Sequence, residues 1–466
     1  MVSILRAVMC RKLYNRKMYN AAINTATPLV KSKKYSKFAK DLILRSMYNL
    51  SLYEELVTKA SFWNVPNDED IVARSFEVLW KEQPHLYPLP LRLVSLQNEQ
   101  PLPIEMFDWN PDDQVENFKQ EGKRVWFRTE KSYVYWDVPG GFSLEATHPN
   151  LLHLVAEVLH PIRQKGIPDG LRKRMKGSKV SLSYSGGTDS TAAMVLMPQD
   201  TILAYHRRSF DSLLEHKKAN KLFACIDKYE NRKVFEIPSN HEVLRTYYGK
   251  PVGFSTDFAC ASHLILLADY FNLGGIAFGM PLDNSFLWKG RTFRNFLKLD
   301  SYQYWRERFS HAGLDYILPL CSVSEAGAMK ICASSIYAEF VNSCMRGDGY
   351  EGCGTCWKCF IKNGPINRPF DFNSVEVQTY LNKRPMPTAT HALWAIKEMN
   401  LEHLVSDLSH LLDADYSWWL GYYPPGFQLL PSSLRNEIET NVKRYLTQMP
   451  EPFSLESIDH FNETTV

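Results

Sequence analysis

The stretch "VSLSYSGGTDSTAAMV", residues 180–195, decides how the chain is read. Val180 to Tyr184 reads as a buried strand, and Ser190 to Leu196 as the first turns of a helix. Between them lies Ser185-Gly186-Gly187-Thr188-Asp189. Glycines let a backbone take positive φ and come close to a ligand. A helix start presents unpaired N–H groups and the positive end of a dipole, so it attracts anions. Strand, glycine pair and helix start together predict a phosphate cradle. The competing reading is a tight turn with an Asp or Ser helix cap.

No Gly-Lys-Ser/Thr follows the loop, so it is not the Walker pattern. Ser185-Gly186-Gly187-Thr188-Asp189-Ser190 resembles the PP-loop of the ATP pyrophosphatases, which split ATP between its α and β phosphates. Around it, "KVSLSY", "TILAYH", "KVFEIP" and "GIAFGM" read as strands. Helices are expected between them, at 210–229 and 258–272. That alternation predicts an α/β fold with a parallel sheet and helices on both faces. Ligands in such sheets sit beyond the carboxyl ends of the strands, where the loop at 185 and "GMPLDNSF" (279–286) should both lie.

Residues 1 to about 95 look helical, with segments at 37–57 and 68–81. "RVWFRT" and "YVYWDV", joined by Glu130-Lys131-Ser132, predict a hairpin, and a helix should start near Pro149. Helices are expected again at 388–399, 401–412 and 431–449, interrupted by the aromatic run "YSWWLGYYPPGF" (416–427), whose rings read mainly as packing surface. The organisation expected is an N-terminal helical and hairpin extension over 1–165, a PP-loop core with a cysteine site over 166–365, and a helical extension over 366–466.

The second signal is "SCMRGDGYEGCGTCWKC", which supplies Cys344, Cys353, Cys356 and Cys359. Two consecutive C-x-x-C steps and a cysteine one loop away suit a structural zinc held by four thiolates, with Gly352 and Gly354 helping the backbone around it. A redox pair and an iron–sulfur cluster are the alternatives. The other five cysteines, Cys10, Cys225, Cys260, Cys321 and Cys332, are scattered. Nothing in the first residues has the long apolar region of a secretory signal, so a reducing cytoplasmic setting is expected. No apolar run is long enough to span a bilayer, and a net charge of +3 over 466 residues does not argue for nucleic acid.

The loop and the cysteines, in this order, resemble the 7-cyano-7-deazaguanine synthase family. Its C-x8-C-x2-C-x2-C spacing is matched from Cys344 to Cys359, and "ILPLCSVSEAGAMKI" (317–331) resembles its stretch ahead of the zinc site. The likeness covers about 178–365. It implies ATP-dependent activation of a carboxylate of the 7-carboxy-7-deazaguanine type as an acyl-adenylate, then transfer to nitrogen, with ATP, Zn2+ and Mg2+ as cofactors. Ser185, Gly186, Gly187, Thr188, Asp189 and Ser190 would hold the phosphates, with Ser185, Asp189 and Asp283 at the chemistry. Asp283, in the loop after the fourth strand, would contact substrate or magnesium, unless it is only a solvated loop residue. The cysteines would hold the zinc.

This chain is about twice as long as the biosynthetic enzymes, and "GFSTDFACASH" (253–263) replaces the family's Gly-Arg-Asn stretch. Long forms resemble the synthase-like proteins of bacterial anti-phage operons, which points to a protein partner, or a protein amine in place of ammonia as acceptor, with room for a homodimer. A PP-loop tRNA-modifying enzyme and a non-catalytic nucleotide-binding subunit of a defence complex are the other readings.

Overall fold

A computed structural model describes residues 2–67, 70–159, 172–210, 216–344 and 351–460. The chain divides into two compact units, Met1–Pro101 with Val243–Gly253, and Leu102–Glu242 with Phe254–Val466. The first unit is helical. Helices Val2–Asn15, Tyr19–Ala26, Ser36–Asn49, Tyr53–Phe62 and Asp70–Glu82 supply a core that includes Cys10, Ala22, Ile43, Leu44, Leu56 and Val72. The single helix expected at 37–57 is two helices. Ser51 takes φ 59° and the Leu52 N–H folds back to Met47 O, a left-handed end that no glycine or proline announces.

The second unit is built on one sheet. Its strands are β1 (Phe118–Glu121), β2 (Arg124–Arg128), β3 (Tyr133–Asp137), β4 (Lys179–Ser183), β5 (Ile202–Arg208), β6 (Val234–Ser239) and β7 (Leu273–Phe278). A small ribbon of β8 (Leu287–Trp288) and β9 (Thr292–Phe293) precedes the last strand, β10 (Asp315–Ile317). The eight-stranded order is β1-β2-β3-β6-β5-β4-β7-β10. From β6 to β10 all neighbours are parallel, and Leu182 is flanked by Leu203 on β5 and Ala277 on β7, all fully buried. Strands buried on both faces carry such continuous apolar runs.

The order reverses between β4 and β7. That is the point at which an open parallel sheet leaves a crevice at the strand ends. The two loops singled out in the sequence, after β4 and after β7, flank it.

The predicted hairpin is present as β2 and β3, and it joins the same sheet: β3 runs antiparallel to β6 through Trp136 and Ser239. The extra strand β1 is the polar edge, Phe-Lys-Gln-Glu, which has no alternation to read. The helix near Pro149 spans Pro149–Leu159. The residues beyond it, including the expected 165/166 boundary, lie outside the described residues, as does the start of the helix expected at 210, seen here as His216–Glu230.

The helix expected at 258–272 is instead a 3-10 turn, Ala259–Ala261, and a short helix, Ser262–Leu266. Ser183 Oγ donates to Cys260 O at 2.9 Å, so that carbonyl serves the strand end rather than a helix. The 401–412 segment is likewise 3-10 turns with one short helix, Ser409–Leu412. Trp419 is fully buried, and Trp418 and Tyr423 nearly so, which makes the 416–427 run packing surface rather than an exposed interface. No described helix is long and apolar enough to cross a membrane.

Candidate functional site

The loop after β4 folds on itself. Gly186 takes φ 70°, the Ser185 and Ser190 hydroxyls lie 2.9 Å apart, and the Gly187 N–H points to Ser185 Oγ at 3.4 Å. Helix Thr188–Leu196 starts directly from it with Gly187 as its cap and no side-chain cap bond. Asp189 is therefore not the helix cap. Behind the helix start runs the end of β7. A Cβ on Gly279 would stand 2.8 Å from both Ser190 Cα and N, so only glycine allows this approach.

Asp189 instead meets a residue far along the chain. Lys362 Nζ donates to its two carboxylate oxygens at 3.0 and 2.8 Å, and lies 3.4 Å from Glu325 Oε2. Burial disfavours the charge on Lys362, yet Asp189 and Glu325 outweigh it and hold the ammonium well above the ordinary lysine pKa. Burial and the nearby Glu325 push the Asp189 carboxyl upward against the pull of that lysine. His391 closes the back of the network. Trp419 Nε1–H points at its Nδ1, so Nε2 carries the hydrogen and donates to Ile361 O at 3.1 Å. Burial keeps this imidazole neutral, with a pKa of about 3.

Asp283 is not a solvated loop aspartate. It is buried, and its Oδ2 accepts from the Glu325 N–H at 2.8 Å, at the head of helix Glu325–Ala333. Burial first, and Glu325 second, raise its carboxyl well above the usual range.

Lys362 was not legible as a site residue, because only the fold brings it 173 positions back to Asp189. Its carrier is the cysteine turn: Cys359 opens the turn Cys359–Asn363 that contains Lys362. The sulfurs of Cys344, Cys353, Cys356 and Cys359 all lie within 4.8 Å of one another, with Cys356–Cys359 at 3.5 Å, Cys344–Cys356 at 3.8 Å and Cys353–Cys359 at 4.0 Å. A tetrahedral zinc with Zn–S of about 2.3 Å has S···S edges of about 3.8 Å, so the four thiols fit such an ion. The Cys353 N–H also points to Cys344 Sγ at 3.3 Å, a bond suited to a thiolate. Residues 345–350 between the first two cysteines lie outside the described residues. On the other flank, Ser343 Oγ is 2.7 Å from Thr188 Oγ1. Both arms of the cysteine cluster thus touch the loop after β4.

The loop opens on a cleft of about 490 Å³ lined by Ser185, Gly186, Gly187, Asp189, Ser190, Lys358 and Lys362, among others. Arg208 lies on its far wall, held by Glu242 through bonds of 2.7 and 2.6 Å, while His206 Nε2 sits 3.1 Å from the same carboxylate. The floor offers a helix N-terminus, and the walls carry Arg208, Lys358 and Lys362 beside the carboxylates of Asp189, Glu242 and Asp257.

The model of a family described as "Family of unknown function (DUF6395)" matches residues 304–453. That stretch, under half of the chain, holds the cysteine cluster, Lys362 and His391 but not the loop after β4. No curated protein matches the chain.

Proposed function

We propose that the protein is an ATP-dependent C–N ligase that activates a carboxylic acid as its acyl-adenylate. The observation that carries this reading is the loop Ser185–Ser190 at the sheet's reversal point, with Lys362 aimed across it from the cysteine turn. A carboxylate is a poor electrophile, and adenylation converts one of its oxygens into a leaving group. Attack on the α-phosphorus forms a new O–P bond and releases pyrophosphate. The backbone N–H groups at the start of helix Thr188–Leu196 and the side chains of Ser185, Thr188 and Ser190 receive the phosphates, while Lys358 and Lys362 oppose the charge that builds on the pyrophosphate. Magnesium, when bound with the nucleotide, would share that charge. A nitrogen nucleophile, ammonia or a protein amine, then displaces AMP.

Cys344, Cys353, Cys356 and Cys359 would hold a metal in a structural role: with four thiolate ligands it would activate no water, and it would fix Ser343 and Lys362 against the loop. A thiol-dependent tRNA-modifying activity gains little support from the cleft. Cys260 lines it, but burial pushes that thiol up to about 12, away from the thiolate such chemistry uses.

The test is product analysis. ATP and 7-carboxy-7-deazaguanine should yield AMP and pyrophosphate with the wild-type chain and neither with Asp189→Ala. With products of neighbouring genes added, intact-mass measurement reports whether a protein amine takes the acyl group. ADP as the product, or full activity in Asp189→Ala, would overturn the reading.

A further inference from the structure

Helix Val2–Asn15 of the first unit carries an apolar patch on its outer face. Its inner face packs into the unit's core through Ala7, Cys10, Leu13 and Tyr14. The 3.6-residue period then turns Ile4, Leu5, Val8 and Met9 outward. Each of the four is between 50% and 65% exposed. Single exposed aliphatics are ordinary on a protein surface, but four on adjacent turns make one patch. Lys12, and Arg16 just past the helix end, continue the line that Leu5 and Met9 begin.

Charge says what covers the patch. The first 50 residues hold eleven Lys and Arg against one acidic residue, Asp41, a net charge of +10. The other 416 residues hold 43 Lys and Arg against 50 Asp and Glu, a net charge of −7. Asp41 is itself paired with Arg45 at 2.9 Å. Arg6, Lys12, Arg16, Lys31, Lys33 and Lys37 are exposed and, among the described residues, have no carboxylate partner. The Arg11 guanidinium lies 5.9 Å from the centre of the Phe38 ring, near the start of helix Ser36–Asn49. Arg11 thus stands between Val8, three residues back on its own helix, and the basic run at 31–37.

Three kinds of partner accept a basic surface. Nucleic acid would take the cations on its phosphates but would leave four aliphatic side chains against a polyanion. Protein interfaces favour aromatic rings and Arg at their centres and are poor in Lys. The patch has no ring among its four residues, and seven of the eleven cations are Lys. An anionic bilayer matches both features: aliphatic side chains enter the boundary between headgroups and acyl chains, while the cations stay on the lipid phosphates.

We propose that the first unit docks on the surface of an anionic phospholipid membrane. Ile4, Leu5, Val8 and Met9 enter the headgroup boundary, and the lysines and arginines of 11–37 lie on the phosphates. The helix does not cross the bilayer: its 14 residues rise about 21 Å, against a hydrocarbon core of about 30 Å.

The experiment is co-sedimentation of the full chain with vesicles of phosphatidylcholine alone and with vesicles in which a third of the lipid is phosphatidylserine. The anionic vesicles should bind at least about tenfold more tightly, and less so as salt is raised. Val8→Gln with Met9→Gln removes the apolar contact without changing charge, and Lys12→Glu with Arg16→Glu reverses the charge beside it. All four positions are exposed, so both pairs should keep the wild-type melting curve and the wild-type affinity for a non-hydrolysable ATP analogue. Each pair should weaken binding to the anionic vesicles at least about tenfold. Equal binding to the two vesicles, binding to neither, or anionic-vesicle binding that survives either pair would overturn the proposal. Duplex DNA or RNA bound in place of vesicles would give the face to nucleic acid. A dimer broken by Val8→Gln with Met9→Gln, without vesicle binding, would give it to a second copy of the chain; both results contradict the membrane.

Discussion

Lys362 is the side chain on which the site turns. It faces Asp189 and Glu325 directly, and Asp283 also acts on its charge. Removing one partner of a buried ion pair leaves uncompensated charge, at a cost of about 3–5 kcal/mol. Lys362→Met should therefore lower stability by that order in urea unfolding and weaken the ATP analogue at least about tenfold. Lys362→Arg, which keeps the charge, should recover part of the affinity; unchanged affinity in Lys362→Met would remove the residue from the site. Glu242 gives a separate pH test. Burial alone would raise its carboxyl, but the hydrogen bonds from His206 and Arg208 pull it down to about 2, against an ordinary 4.5. A lowered folded-state value means that the stabilisation is whole above about pH 4.5 and disappears as pH falls toward 2, about 3 kcal/mol in all. Glu242→Gln should be less stable than wild type at pH 7 and no longer so at pH 2.5, measured by denaturant unfolding.

Among the elements, the contact between the end of β7 and helix Thr188–Leu196 is the most exacting. Gly279→Ala would press a methyl against Ser190 at 2.8 Å, an overpacking that costs about 1–3 kcal/mol. A lowered melting temperature and weaker analogue binding should appear together; an unchanged melting curve would show that the helix start yields freely. This contact also marks what could be read from the chain. The strands at 179, 202, 234 and 273 were legible because residues buried on both faces form short apolar runs between turn signals. The loop after β4 and the four cysteines were legible because their spacing is itself the chemistry. The break at Ser51, the 3-10 turns after Phe258 and strand β1 were not, since each is set by side-chain-to-backbone bonds or by an edge position that leaves no periodicity. Asp283 and Lys362 were the harder cases. One was named without its buried partner at the Glu325 N–H, and the other is joined to Asp189 only by the crossing of distant segments.

At the scale of the whole molecule, the cysteine cluster and the loop behave as one construction. Ser343 precedes the first cysteine and bonds Thr188, while Lys362 follows the last and bonds Asp189. Chelation, or Cys356→Ser, should lower the melting temperature and weaken the ATP analogue by similar factors, and elemental analysis should find about one zinc per chain. A metal-free chain that melts and binds like the untreated protein would separate the two. The central claim is that a carboxylate oxygen becomes bonded to the α-phosphorus of ATP. It is tested most directly with 7-carboxy-7-deazaguanine labelled with heavy oxygen in its carboxyl group, followed by mass measurement of the nucleotide product. Adenylation predicts AMP carrying one heavy oxygen from the acid. Unlabelled AMP, or ADP in its place, would contradict the account.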